Sequence, residues 1–173
     1  MLLKFTDFAG LDGRKLMDIY AESNLENTAC FCPEEHDRQA AVRKVEAGFL
    51  AFLQDEFFKQ DGAACWVLQQ DGLWVSALRT CRIEAGLYFL EALETHPEHR
   101  QKGYGALLLS GVLEAMKAEG SFRLCDCVGK KNPASLKTHE KCGFRIVSQQ
   151  GYDYLHGDIS PLDFGMEYQY SKA

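Results

Sequence analysis

The chain predicts a mixed α/β fold, with a central sheet of about seven strands and about four helices covering it. Three observations carry this expectation. β-rich and amphipathic runs follow one another in the order strand, two helices, three strands, helix, strand, helix, two strands. Two of the β-rich runs meet at Gln70-Asp71-Gly72, whose turn chemistry favours a hairpin. No repeat, low-complexity tract or linker divides the 173 residues, and 46% apolar content suffices for one well-packed core. The whole span 1–173 is therefore expected to be a single domain.

Each element has its own signal. Residues 2–6 read as a first strand, and Asp12 can cap a helix with Leu16, Ile19 and Tyr20 at helical spacing. Residues 26–32 read as irregular. Pro33, followed by Glu34 and Glu35, suits the first turn of a long helix. Its Val42, Val45, Phe49 and Phe52 form one apolar stripe running to about Lys59, before Asp61-Gly62. Residues 65–69 and 73–82 make the hairpin, and residues 87–95 follow as a third strand. A helix over 103–119 carries Leu108, Val112, Ala115 and Met116 on one face, and Gly120 stops it. Residues 122–128 are a strand. Asn132-Pro133 is a cap and first position for a helix that ends at Gly143. Residues 144–149 and 165–170 are the last two strands, separated by an irregular stretch containing Gly151, Gly157 and Pro161.

Composition narrows the function. A net charge of −6 argues against nonspecific nucleic-acid binding, which needs a basic face, and it permits a cationic partner. The seven cysteines are odd in number and scattered, and Met1-Leu2-Leu3-Lys4-Phe5 reads as a strand rather than a secretory segment. No apolar run approaches the ~20 residues of a membrane span. Reduced thiols in a cytoplasmic protein are expected. Cys30-Phe31-Cys32 with His36 lacks zinc-site spacing and a second pair, so no metal is expected. Cys125 and Cys127 alternate on a strand with Arg123 and should pack half-buried.

The stretch from Leu93 to Leu108 organises the rest. A strand ends at His96-Pro97, and Gly103 and Gly105 open a helix. Backbone N–H groups at the positive end of that helix form a phosphate cradle, glycines let it approach a ligand closely, and Arg100 and Lys102 add charge. A P-loop would need Gly-Lys-Ser/Thr, which is absent. A dinucleotide fingerprint would need a small residue where Leu108 stands. What remains is Arg100-x-x-Gly103-x-Gly105 after the strand, or a plain glycine turn with a basic edge.

This pattern resembles the acyl-CoA pyrophosphate loop of the GCN5-related N-acetyltransferase (GNAT) family. A second motif of that family, Asn132, Ser135, Glu140, Lys141, Gly143 and Phe144, follows at the family's separation. His139 stands where the family usually has Tyr. The specific resemblance covers about residues 87–146. It implies the acyl-CoA N-acyltransferase fold, a mixed, mostly antiparallel sheet in which two parallel strands, ending near Thr95 and Val128, splay apart. It also implies acetyl-CoA as cosubstrate, with pantetheine against Leu93, Glu94 and Thr95. The pyrophosphate would rest on Arg100, Gln101, Lys102, Gly103, Tyr104 and Gly105, with Asn132 and Ser135 along the cofactor. Lys141 would reach a phosphate or simply be solvated. The implied activity is acetyl transfer to a primary amine of a small molecule or a protein, by direct attack on the thioester. A noncatalytic acyl-CoA-binding regulatory module is the alternative. A homodimer through C-terminal edge strands is also implied.

The chemistry names candidates. An alkylamine of pKa ~10.4 is about a thousandth deprotonated at pH 7, so a general base helps. Strict alternation puts Phe89, Glu91, Leu93 and Thr95 on one face of their strand, with Tyr88, Leu90, Ala92 and Glu94 on the other. Family members often place a carboxylate on this strand near the substrate, which makes Glu91 the expected base and Glu94 the reserve. A salt-bridged Glu91 is the other reading. The departing thiolate, whose parent thiol has pKa ~8.5, needs only modest acid help. His139 either supplies it or packs as a polar-tipped helix residue. The acceptor is expected between the helix opened at Pro33 and residues 150–165, where Asp153, Tyr154, Asp158 and Asp163 suit a cation.

Overall fold

The computed structural model describes residues 1–172; Ala173, the last residue of the expected domain, lies outside them. Seven strands form one sheet: β1 (Leu2–Phe5), β2 (Ala64–Gln70), β3 (Leu73–Glu84), β4 (Leu87–Thr95), β5 (Phe122–Gly129), β6 (Arg145–Ser148) and β9 (Asp163–Tyr170). Their spatial order is β1-β2-β3-β4-β5-β9-β6, antiparallel throughout except for the parallel β4/β5 pair. The irregular stretch expected before β9 holds a small ribbon of its own, β7 (Gly151–Tyr152) with β8 (Ile159–Ser160).

Five helices cover the sheet: α1 (Gly13–Ile19), α2 (Ala21–Phe31), α3 (Arg38–Asp55), α4 (Tyr104–Glu119) and α5 (Pro133–Lys141). Asp12 caps α1 by accepting from the Lys15 N–H, and Asn132 caps α5 by accepting from Ser135, as their positions in the sequence suggest. Two expectations are corrected. α2 occupies the stretch read as irregular. Asn24 is its one buried residue, so it has no apolar stripe for periodicity to detect, and packing beside α3 holds it. The helix expected from Pro33 begins at Arg38 instead. Asp37 accepts from the N–H groups of Gln39 and Ala40 and so outcompetes Pro33 as the start signal. That helix ends at Asp55, and Phe57–Lys59 is a separate 3-10 turn.

Alternation along the strands feeds two cores. On one face Leu90, Leu124 and Met166 meet Leu108, Leu109 and Val112 of α4. On the other, Val67, Phe89 and Cys125 meet Leu16, Ile19, Leu53 and Phe57. Each of the aliphatic, methionine and phenylalanine side chains among them contributes about 1.5–3 kcal/mol on burial.

Two irregularities in the middle of the sheet shape what lies between. β4 and β5 pair only at Leu87–Arg123, Tyr88–Leu124 and Phe89–Cys125, then separate. β4 also carries an extra residue: Arg79 faces Glu91 and Ala77 faces Glu94, so two steps on β3 match three on β4. Ala92 absorbs the difference at φ 55°, and Tyr20 Oη pins it by donating to its carbonyl at 2.7 Å. The alternation expected along β4 therefore fails at Ala92. Glu91 and Glu94 both turn toward the α1–α3 face, while Leu93 and Thr95 turn toward α4.

Candidate active site

The splay opens a cavity of about 1060 Å³ whose walls are Ala92–Thr95 of β4, Asp126–Gly129 of β5, the loop before α4, one face of α5, and Glu22, Ser23 and Glu26 of α2. Among the residues expected at the cofactor, Leu93, Glu94, Thr95, Arg100, Gln101, Gly103, Tyr104, Gly105, Asn132 and Ser135 all line it. Lys102 does not: its ammonium turns to the Glu98 carbonyl and His99 Nδ1, each at 3.4 Å.

The loop is built by backbone geometry. Gln101 at φ 61° and Gly103 at φ 80° curl the chain so that the first turn of α4 faces the cavity with N–H groups that have no partner within the helix. A Cβ on Gly105 would sit 3.4 Å from Thr95 Oγ1, so glycine keeps strand and helix close. Arg100 does not hold its charge out to the cavity. Its guanidinium pairs with Glu22 and donates from Nε to the Thr95 carbonyl at 3.3 Å, tying the loop to α2. Lys137 and Lys141 of α5 stand in the wall as further cations. A phosphate-bearing ligand fits this lining: free N–H groups, a helix N-terminus and two amines.

The residues expected to do chemistry are placed less simply. Glu91 is outside the wall. Its carboxylate accepts from Arg79 Nε at 2.8 Å, and the guanidinium lies under Phe49, Phe57 and Phe52, 4.8–5.6 Å from their centroids. Arg79 is buried, so the pair is an internal strut. Glu94 is in the wall. One oxygen accepts from Ser23 Oγ, and the other is buried without a partner. Burial raises its pKa, Ser23 and Arg100 only partly offset this, and the charges of Glu22 and Glu26 raise it further.

His139 is fully buried and does not line the cavity. Its Nδ1 lies 2.9 Å from the Ser135 carbonyl, and its Nε2 is 2.8 Å from Asp126 Oδ2. That second contact is off-line for an N–H···O bond, so charge attraction dominates it. Burial alone would lower the imidazole's pKa, but Asp126, helped by the Ser135 carbonyl, more than offsets it and holds it above the ordinary value. Burial also raises Asp126, despite the imidazole. Asp126 does line the cavity. Sequence reading passed it over, although a signal existed: it takes a core-facing turn in the alternation Phe122, Leu124, Asp126, Val128, where a carboxylate needs a reason to be.

Residues 150–165 do not form the wall beside Glu94. Tyr154 packs on Phe89 with centroids 5.7 Å apart, and Asp153 binds His156 Nδ1 at 2.7 Å. The acidic wall comes from α2, the helix the sequence hid.

A sheet parted between two parallel strands, with a helix N-terminus in the wall of the gap and a carboxylate there that keeps one oxygen without a partner, is a site that a long phosphorylated ligand fits. The model of the acetyltransferase (GNAT) family matches residues 16–144, and the chain belongs to that family. It is accordingly an acetyl-CoA-dependent N-acetyltransferase, with acetyl-CoA as cosubstrate. Solved structures agree on the fold. The PaiA N-acetyltransferase of Thermoplasma acidophilum, in complex with coenzyme A, is 18% identical with a TM-score of 0.65, covering 98% of this chain and 99% of its own. A phosphinothricin acetyltransferase of Sinorhizobium meliloti, with acetyl-CoA, is 21% identical with a TM-score of 0.61, over 99% of this chain and 88% of its own. A spermidine N-acetyltransferase SpeG chimera from Vibrio cholerae and hSSAT is 16% identical with a TM-score of 0.61, over 98% and 95%. Among curated proteins, no relative matches the sequence.

Proposed function

We propose that this protein acetylates a small, cationic primary amine, with Glu94 as the general base. The observation that carries this reading is the unpartnered Glu94 oxygen in a wall shared with Glu22 and Glu26. These three carboxylates line the cavity, and Arg100, paired with Glu22 and only partly offsetting Glu94, leaves them in excess there, which favours an ammonium over an anion. The spermidine acetyltransferase among the structural neighbours acts on such a cation, which agrees with the choice. Glu91 is assigned a structural role, because Arg79 already neutralises it.

Acetyl-CoA supplies an activated acyl group on a thiol. The chain's own residues do the rest. The α4 N-terminus, Lys137 and Lys141 hold the phosphates, Leu93 and Thr95 line the pantetheine path, and Glu94 takes the ammonium proton. Asn132 and Ser135 shape the far wall. The span 1–173 works as one domain in a reducing cytoplasm, consistent with seven unpaired thiols. Among the described residues no helix is long and apolar enough to cross a membrane. β6 leaves Ile146 and Val147 exposed on an edge strand, which favours a homodimer.

The test is CoA-thiol release from acetyl-CoA across diamines, polyamines, aminoglycosides and amino acids. Release confined to amines with a second cationic group supports the reading, and release only with anionic acceptors would sink it. A noncatalytic acyl-CoA-binding module is the second reading, favoured by the placing of Glu91 and His139 outside the wall. Tight acetyl-CoA binding with no amine-dependent release would select it.

A further inference from the structure

We propose that Asp126 is a catalytic residue of this enzyme and His139 its positioning residue, the two acting as one proton-holding pair that protonates the departing thiolate. The inference rests on the acetyltransferase reading above and goes beyond it.

The geometry comes first. Asp126 is the first residue of β5 beyond the last β4/β5 bridge at Phe89–Cys125, so it sits where the strands part and the cavity begins. It is the one titratable group on the α4–α5 face of β5, among Phe122, Leu124 and Val128. His139 backs it from α5 at 2.8 Å and is itself sealed from solvent. The imidazole is fixed on its far side by the Ser135 carbonyl and edge-on by the Phe144 ring, with centroids 5.0 Å apart. Nδ1 thus donates to a carbonyl, leaving Nε2 to face Asp126 Oδ2 at 2.8 Å, bent away from a straight hydrogen bond. A buried aspartate alone at this position would have a high desolvation cost, and a buried histidine alone would also. Together they hold a proton that only the cavity side can exchange.

The charged and titratable neighbours are few. From β4, Glu91 is the charge that reaches Asp126, and it favours the protonated pair. β5 offers the Cys127 N–H to the Asp126 carboxylate. α5 contributes the Ser135 carbonyl and hydroxyl, the latter 3.4 Å from Nδ1. β9 presents Met166 opposite Asp126, and the residue before β6 presents Phe144; both are apolar. Burial raises Asp126 and the aspartate raises His139, and both shifts are a property of the pair rather than of either residue.

The step balances. The ammonium first gives one proton to Glu94, which passes it to solvent through the cavity; the neutral amine nitrogen then bonds to the acyl carbon while its second proton goes to Glu94. The carbon–sulfur bond breaks, its electron pair goes to sulfur, and sulfur takes the pair's proton through Asp126. Solvent restores that proton through the cavity after the products leave, and Glu94 releases its own.

The experiment has two arms, both on the full chain. In the free protein, the His139 ring resonances are titrated by NMR in wild type and Asp126→Asn. The expected wild-type midpoint lies above the ordinary ~6.5, and Asp126→Asn should bring it down by at least about one pH unit. An ordinary or lowered wild-type midpoint would overturn the pair. In turnover with saturating amine, Asp126→Asn should lose at least about tenfold in kcat while acetyl-CoA Kd stays within about twofold. The alkaline limb of its kcat–pH profile should disappear. His139→Gln, which keeps a donor toward the carboxylate, should shift that limb to lower pH rather than remove it. Wild-type turnover with kcat and alkaline limb intact in a folded Asp126→Asn variant overturns this inference alone. No wild-type turnover with any amine overturns the acetyltransferase reading itself, and this inference with it.

Discussion

At the scale of single residues, two glutamates three positions apart on β4 are separated by their partners. Glu91 has Arg79, and Arg79 is buried with one guanidinium nitrogen already unpartnered. Glu91→Gln should leave that charge without its counterion and destabilise the protein by about 3–5 kcal/mol, read by denaturant unfolding. Glu94→Gln should do the opposite. Because burial raises the Glu94 pKa, its stability contribution is full below the unfolded value and is lost as pH rises through the raised folded value. At pH 8 the Gln variant should therefore melt no lower than wild type, while kcat falls by about a hundredfold or more. As the proposed base, Glu94 must be ionised to work, so the acid limb of kcat/KM should lie above the usual carboxylate range. A melting point well below wild type for Glu94→Gln would make it a strut like Glu91. The carboxylates were legible as a pair of candidates, but not which one is free, since that depends on an arginine on the neighbouring strand.

At the scale of elements, the bulge at Ala92 and the loop before α4 shape the cavity wall. Strict alternation puts Glu91 and Glu94 on opposite faces, and one extra residue puts them on the same face. Ala92 tolerates φ 55° with a small side chain, and Tyr20 anchors its carbonyl. Ala92→Val, β-branched in a left-handed conformation, should cost about 1–2 kcal/mol and lower kcat, whereas Ala92→Gly should be close to neutral. In the loop, Gly105→Val should push against Thr95 and weaken acetyl-CoA binding by about tenfold or more by calorimetry, with folding retained. The loop was readable from its glycines and the helix behind it, because local backbone chemistry makes it. α2 was not readable: its one buried residue is Asn24, and Pro33 offered a false start signal that Asp37 overrode.

For the whole molecule, the net charge of −6 adds to the acidic wall of Glu22, Glu26 and Glu94 in favouring the cationic acceptor proposed above. Raising ionic strength from about 0.01 M to about 0.15 M shortens the screening length from about 30 Å to about 8 Å. KM for a polycationic acceptor should rise severalfold over that range while KM for a monoamine rises less and kcat changes little. Equal KM shifts for both acceptors would assign the steering to net charge alone rather than to the wall.

By itself the sequence determined the seven strands of the main sheet and four of the five helices, the caps at Asp12 and Asn132, the hairpin at Asp71-Gly72, the glycine-opened loop before α4 and the family. All of these are written in residues close together in the chain, where propensity, capping and periodicity act. The tertiary structure alone decided the fifth helix, the slipped register at Ala92, the Arg79–Glu91 strut and the Asp126–His139 pair. Each of those joins segments far apart in sequence, and a charge buried in one strand is paired or free according to what another element brings within 3 Å of it.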